Sequence, residues 1–123
     1  MFKLQIKLTT KFITRIYNFD SKDNVEEKSN CPQSLDKFCV KISGESMIMA
    51  GICPGDIVEV AKNLAPQHND IVLAKLNGIH TIKRLQINHD NTYTLVPENI
   101  EFEPIIVDQT MDFQIEGVVT RVL

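Results

Sequence analysis

Asn77-Gly78, set between two runs rich in aliphatic and β-branched residues (70–76 and 79–87), is the strongest constraint on how this chain can fold. A two-residue loop of this type suits the left-handed turn that joins neighbouring antiparallel strands, because glycine meets no Cβ penalty there. The same grammar repeats around that hairpin. Runs 39–43, 56–61, 92–96, 105–108 and 113–122 read as further strands, and Pro54-Gly55-Asp56, Asn69-Asp70 and His89-Asp90-Asn91 supply turns between them. Strands this short and evenly spaced predict a mainly β fold: a strongly bent antiparallel sheet, partly closed and barrel-like. One short helical turn, 46–50, is expected in this half, closed by Gly51.

The N-terminal third follows another pattern. Phe2, Leu4, Ile6 and Leu8 alternate with polar residues, as a strand would, while Lys3, Lys7, Lys11 and Arg15 recur every four residues, as on a helix; both readings stand. Residues 20–36 are polar and contain Asn30-Cys31-Pro32, which marks a loop or linker. With 123 residues the chain is expected to hold one folded domain, 39–123, preceded by a flexible arm and linker, 1–38.

Charge is divided along the same line. The net charge is −3, yet Lys3, Lys7, Lys11 and Arg15 against Asp20 give residues 1–20 a charge of +3, leaving −6 on the remainder. An acidic body repels a phosphate backbone, so no direct specific DNA binding is expected of it. The basic segment suits a solvated face, or contact with DNA or an acidic partner. Cys31, Cys39 and Cys53 form no CxxC pair and have no histidine at ligand spacing, so no metal or cofactor is expected. An odd cysteine count without a secretory signal predicts free thiols and a cytoplasmic protein. No apolar run approaches the roughly 18 residues that span a membrane.

Two residues carry candidate chemistry. In the run 79–87, Lys83 shares a face with Ile79, Thr81, Leu85 and Ile87, while His80, Ile82, Arg84 and Gln86 point the other way. Full burial disfavours a lysine's charged form at a cost of about 4–7 kcal/mol, which a fold rarely tolerates without a use. The plain alternative is a lysine that buries its stem and snorkels to the surface. Ser46 follows Gly44-Glu45 at the start of the expected helical turn. There it is placed to cap free N–H groups, and those same groups can stabilise an oxyanion. Together the two fit a Ser–Lys hydrolytic pair, in which a neutral lysine takes the proton of a serine nucleophile. His68, His80 and His89 sit in no motif and read as surface residues; Met47 and Met49 read as packing.

The order and spacing of several blocks is similar to the LexA/UmuD family of Ser–Lys self-cleaving peptidases. The blocks are Val40-Lys41-Ile42-Ser43-Gly44-Glu45-Ser46-Met47, Gly51-Ile52, Pro54-Gly55-Asp56, Asn69-Asp70-Ile71-Val72, Thr81-Ile82-Lys83-Arg84-Leu85, Leu95-Val96-Pro97-Glu98-Asn99 and Gly117-Val118-Val119. The resemblance implies Ser46 as nucleophile and Lys83 as general base. It implies an oxyanion hole from the backbone N–H groups of Glu45 and Ser46, with Gly44 giving the turn its backbone freedom and Met47 and Thr81 in support. Asp56 is expected to serve the turn, since Ser–Lys chemistry needs no third carboxylate.

The resemblance is strongest toward the short UmuD-like members. It implies a homodimeric SOS-response protein that assists a lesion-bypass DNA polymerase in error-prone repair. Its self-cleavage would be triggered by a recombinase filament on single-stranded DNA, with no membrane involved. Residues before Cys39 show no helix-turn-helix pattern, which sets the expectation against a LexA-type or phage repressor. In one respect the chain departs from the family. Members cut themselves at Ala-Gly or Cys-Gly, in a register that here falls near Thr10-Lys11, and no glycine precedes Gly44. Three readings follow: an atypical bond such as Thr9-Thr10 or Ser21-Lys22, a non-cleaving binding and dimerisation module (as a processed UmuD or a headless repressor forming mixed dimers would be), or a dyad that serves another chain.

Overall fold

The computed structural model describes residues 36–123. Within them the chain forms β1 (Lys37–Lys41), β2 (Ile57–Ala61), β3 (Ile71–Leu76), β4 (Ile79–Ile87), β5 (Tyr93–Val96), β6 (Ile105–Ile106) and β7 (Phe113–Val122), with one 3₁₀ turn at Ile48–Ala50. Every strand expected from the alternation is present. The first is displaced two residues toward the N-terminus and β6 is shorter than expected. The strand-or-helix question at 2–15 falls outside the described residues.

All seven strands join one antiparallel sheet in the order β1-β2-β7-β3-β4-β5-β6. The sheet is not closed into a barrel; β1 and β6 are its edges. Register shifts between Glu59 and Val60, and between Leu73 and Ala74, interrupt the ladders that β7 makes with β2 and β3. Such bulges bend a strand and strengthen its twist. The turns are those the sequence chemistry demands. Asn77 (φ 50°) and Gly78 (φ 84°) form the left-handed pair that joins β3 to β4, with Leu76 opposite Ile79. Asp56 accepts the Cys53 N–H at 2.7 Å and Asp70 the Gln67 N–H at 2.8 Å, each closing its own turn.

Alternation sends the apolar side chains to two cores, one on each face. Val40, Ile42, Met47, Ile52, Val58, Val60, Leu73 and Ile82 form the first; Val72, Ala74, Leu85, Leu95 and Val118 form the second. The central strands β3 and β4 are therefore covered on both faces, which is how a residue of either parity on β4 comes to be buried. By parity with Leu85, Thr81 and Lys83 lie on the second face.

Gly117 on β7 is where backbones approach most closely. A Cβ there would collide with the Val60 side chain and stand 2.9 Å from the Ala61 carbonyl oxygen. Because the second obstacle is backbone, Gly117→Ala is expected to cost about 1–3 kcal/mol, read as a lower denaturant midpoint at unchanged slope.

Glu59 on β2 is a buried acid that the sequence pattern did not single out. Its side chain is only 3% exposed and accepts from Thr120 Oγ1 at 2.7 Å and from Arg121 Nε at 3.3 Å, with Lys37 Nζ at 3.9 Å. The Thr120 hydroxyl, then the Arg121 guanidinium and Lys37, hold its carboxyl below the usual carboxylate range, against the opposing effect of burial. A depressed folded-state pKa contributes stability above the unfolded pKa and loses it as pH falls through the folded value. Glu59→Gln is thus expected to cost about 1–2 kcal/mol at neutral pH, with the gap to the native chain closing on acidification below about pH 4. Thermal melts of both chains from pH 3 to 7 read this directly. Cys39, next to this cluster on β1, is disulfide-bonded, which corrects the expectation of three free thiols; Cys53 is free and exposed.

Candidate active site

The serine loop is held against the end of β5 by three hydrogen bonds. Glu98 N–H donates to the Ser46 carbonyl at 2.7 Å, Met49 N–H to the Glu98 carbonyl at 2.8 Å, and the Asn99 side-chain amide to the Glu45 carbonyl at 2.8 Å. Arg84 in turn holds Glu98 through Nε–Oε2 at 3.0 Å. In the β4–β5 ladder Arg84 faces Val96. Continuing that register by one step sets buried Pro97 opposite Lys83, so the segment carrying Ser46 is bonded to the residue just beyond Lys83's cross-strand neighbour. Elements far apart in sequence are in this way brought to one end of the sheet.

Ser46 is fully buried, and its Oγ makes no hydrogen bond. The 3₁₀ turn begins with Met47 at the capping position and has no side-chain cap, so Ser46 does not serve as the helix cap that its sequence position also allowed. Gly51, in the left-handed region at φ 88°, closes the turn as expected. A buried hydroxyl without a partner costs about 1–3 kcal/mol, and such groups in folded proteins call for an explanation in chemistry or strain.

Lys83 is 1% exposed, so it does not snorkel. Its Nζ donates to Thr81 Oγ1 at 2.5 Å, the side chain two residues earlier on the same face. The contact needed for proton transfer from Ser46 to Lys83 is not made in this arrangement, since Ser46 Oγ is unbonded. A groove of about 220 Å³, lined by Leu76, Asn77, Ile79 and Ile105, leads down to Thr81 and Lys83. Among the described residues, the N–H groups of Glu45 and Ser46 make no backbone hydrogen bond. Gly44 is buried, but its φ is not in the left-handed region, where the glycines are Gly51, Gly55 and Gly78; the backbone-freedom argument therefore does not hold at Gly44. Met47 is fully buried in the first core.

Of the histidines, His80 is only partly exposed and pairs with Glu116 at 2.8 Å, and His68 Nδ1 accepts the Ile87 N–H at 3.0 Å. Neither is joined to Ser46. Glu98 and Asn99, which position the serine loop, had no assigned role in the sequence; the Pro97-Glu98-Asn99 block was the signal available for them.

Comparison with known proteins fits this geometry. Residues 10–120 match the family described as Peptidase S24-like. The chain belongs to that family. It is 44% identical over 81 residues to LexA repressor 2 of Pseudomonas syringae pv. tomato, covering 66% of this chain and 40% of that protein. Against the LexA repressor of Carboxydothermus hydrogenoformans it is 38% identical over 92 residues, covering 71% and 45%. Against that of Syntrophotalea carbinolica it is 37% identical over 101 residues, covering 82% and 50%. This S24-family chain therefore spans at most half the length of these relatives. Among its described residues, no helix is long and apolar enough to cross a membrane.

Proposed function

We propose that this chain is a self-cleaving serine peptidase with Ser46 as nucleophile and Lys83 as general base. The observation that carries the reading is a fully buried, unpartnered Ser46 hydroxyl in a fold that also buries Lys83 at the lining of a groove. When a peptide enters, Lys83 exchanges Thr81 for Ser46 as its partner and takes the hydroxyl proton as Oγ attacks the carbonyl carbon. The N–H groups of Glu45 and Ser46 then receive the developing oxyanion. Lys83 passes its proton to the leaving amine, and water, activated by the same lysine, hydrolyses the acyl-serine. Burial favours this role, because it disfavours a lysine's charged form.

The relatives are named as LexA repressors, which supports a repressor-type regulatory role; a homodimer that acts in the DNA-damage response and cleaves when a recombinase filament on single-stranded DNA promotes it is what the sequence resemblance adds. A role as accessory subunit of a lesion-bypass polymerase takes second place, since it rests on the sequence resemblance alone. The test is the intact mass of purified chain, native and Ser46→Ala, incubated with and without an activated filament. A fragment pair absent from the variant identifies the peptidase and its scissile bond. An unchanged mass in every condition contradicts self-cleavage and favours a binding module.

A further inference from the structure

Asn69 (φ 77°), Asn77 (φ 50°) and Asn91 (φ 70°) take left-handed backbone. The residue after each decides its chemistry, because the next main-chain nitrogen can close an imide ring on the asparagine's amide carbon. After Asn69 and Asn91 that nitrogen is engaged and crowded. The Asp70 N–H donates to the Gln67 carbonyl at 3.0 Å, the Thr92 N–H to Asp90 Oδ1 at 3.1 Å, and both residues carry a Cβ. Asn77 differs on every count. Its successor is Gly78, in the chain's single Asn-Gly pair. Both residues are exposed, and among the described residues the Gly78 N–H makes no backbone hydrogen bond. A Cβ placed at Gly78 would meet nothing within 4 Å, so the space beside it is open. The Asn77 side-chain amide is also held and polarised. Its Oδ1 accepts the Asp112 N–H at 2.9 Å, while the Asn77 backbone N–H donates to the Asp112 carbonyl at 2.8 Å.

We propose that Asn77-Gly78 is a site of self-modification, at which Asn77 is converted to aspartate and isoaspartate without an enzyme. The Gly78 nitrogen, losing its proton, attacks Asn77 Cγ. The Asp112 N–H is in place to stabilise Oδ1 as it gains charge. The Cγ–Nδ2 bond then breaks, the side-chain nitrogen leaves as ammonia with the proton that Gly78 gave up, and the imide ring remains. Water opens the ring on either side of the Gly78 nitrogen. Opening at Cγ gives aspartate; opening at the main-chain carbonyl carbon of Asn77 gives isoaspartate, whose backbone runs through Cγ. Nothing is oxidised or reduced. Both products carry a carboxylate that the native residue lacks. Asn77 lines the same groove as Thr81 and Lys83, so the modification sets a negative charge in the wall of that groove. Isoaspartate also lengthens the loop that sets Leu76 opposite Ile79, and loop length fixes the register of a hairpin. None of this rests on the peptidase reading.

The experiment ages purified full-length chain in heavy-oxygen water at neutral and mildly alkaline pH. Folded chain and urea-unfolded chain run side by side, with Asn77→Gly as a control that keeps a turn-forming Gly-Gly pair. Proteolytic peptides are then read by mass, and isoaspartate by a methyltransferase specific for it. In the folded chain the Asn77 peptide is expected to convert several-fold faster than the peptides of Asn69 and Asn91, taking up heavy oxygen as it does. Conversion should quicken as pH rises, since the attacking nitrogen must lose its proton. The isoaspartate fraction should melt below the native chain, and the Asn77→Gly peptide should keep its mass. An Asn77 that stays an amide in the folded chain while the unfolded chain converts would mean that the turn protects it, which overturns the proposal. Equal conversion at Asn69, Asn77 and Asn91 in the folded chain would overturn it too, because the Gly78 turn would then confer nothing.

Discussion

Ser46→Ala is expected to end self-cleavage and to melt higher than the native chain. Loss of activity follows from removing the nucleophile: no other hydroxyl takes its place, since Thr81 Oγ1 is engaged by Lys83. The gain in stability follows from a separate observation. Ser46 Oγ is buried with no hydrogen-bond partner, so the native fold carries the desolvation cost of a hydroxyl that alanine lacks. Removing it should return about 1 kcal/mol, a rise of roughly 4–8 °C in a domain of this size. Calorimetry beside intact-mass analysis reads both effects. A variant that cleaves normally, or one that melts several degrees lower, would mean that the hydroxyl is a structural partner rather than a reserved nucleophile.

Lys83→Met and Lys83→Arg should separate the two properties that a buried base combines. Methionine matches the length of the lysine stem, keeps the second core filled and needs no solvation. It is expected to abolish cleavage while raising stability by about 1–4 kcal/mol, as when other buried charged groups give way to apolar residues. Arginine keeps a charge it cannot shed and brings a larger, planar head into a site where the native side chain is only 1% exposed. It should abolish cleavage and lower stability. Chemical denaturation of the three chains gives the order Met above native above Arg. If methionine destabilises as much as arginine, Lys83 holds the fold together, and its burial is no sign of catalysis.

The fold was legible because turn chemistry and alternation agree at each strand. Asn77-Gly78 and Pro54-Gly55-Asp56 marked turns that the structure contains. Less legible was closure. Whether seven short strands close or stay open depends on what β1 and β6 meet at the edges, and alternation carries no information about that. In the site, the burial of Lys83 followed from its parity with Leu85 on a strand covered on both faces. Its bond to Thr81 followed from the two-residue spacing on one face. Gly44 shows the opposite case, a glycine before the serine that takes no left-handed backbone. Glu59 escaped notice because a lone acid in an alternating strand reads as its solvent face. Its partners Thr120 and Arg121 lie on β7, and the pairing of β2 with β7 is a long-range choice. The anchoring of the serine loop by Glu98 and Asn99 is long-range in the same sense.

The central claim, that Lys83 takes the proton of Ser46, is tested most directly by the rate of self-cleavage from pH 7 to 10, with folding checked at each pH and Ser46→Ala run alongside. A base that must be neutral to act gives a rate that climbs with pH and levels off above its pKa. That rise, absent in the variant, is the expected result. A rate that stays flat or falls across the same range, in protein still folded, would contradict the assignment of Lys83 as the base.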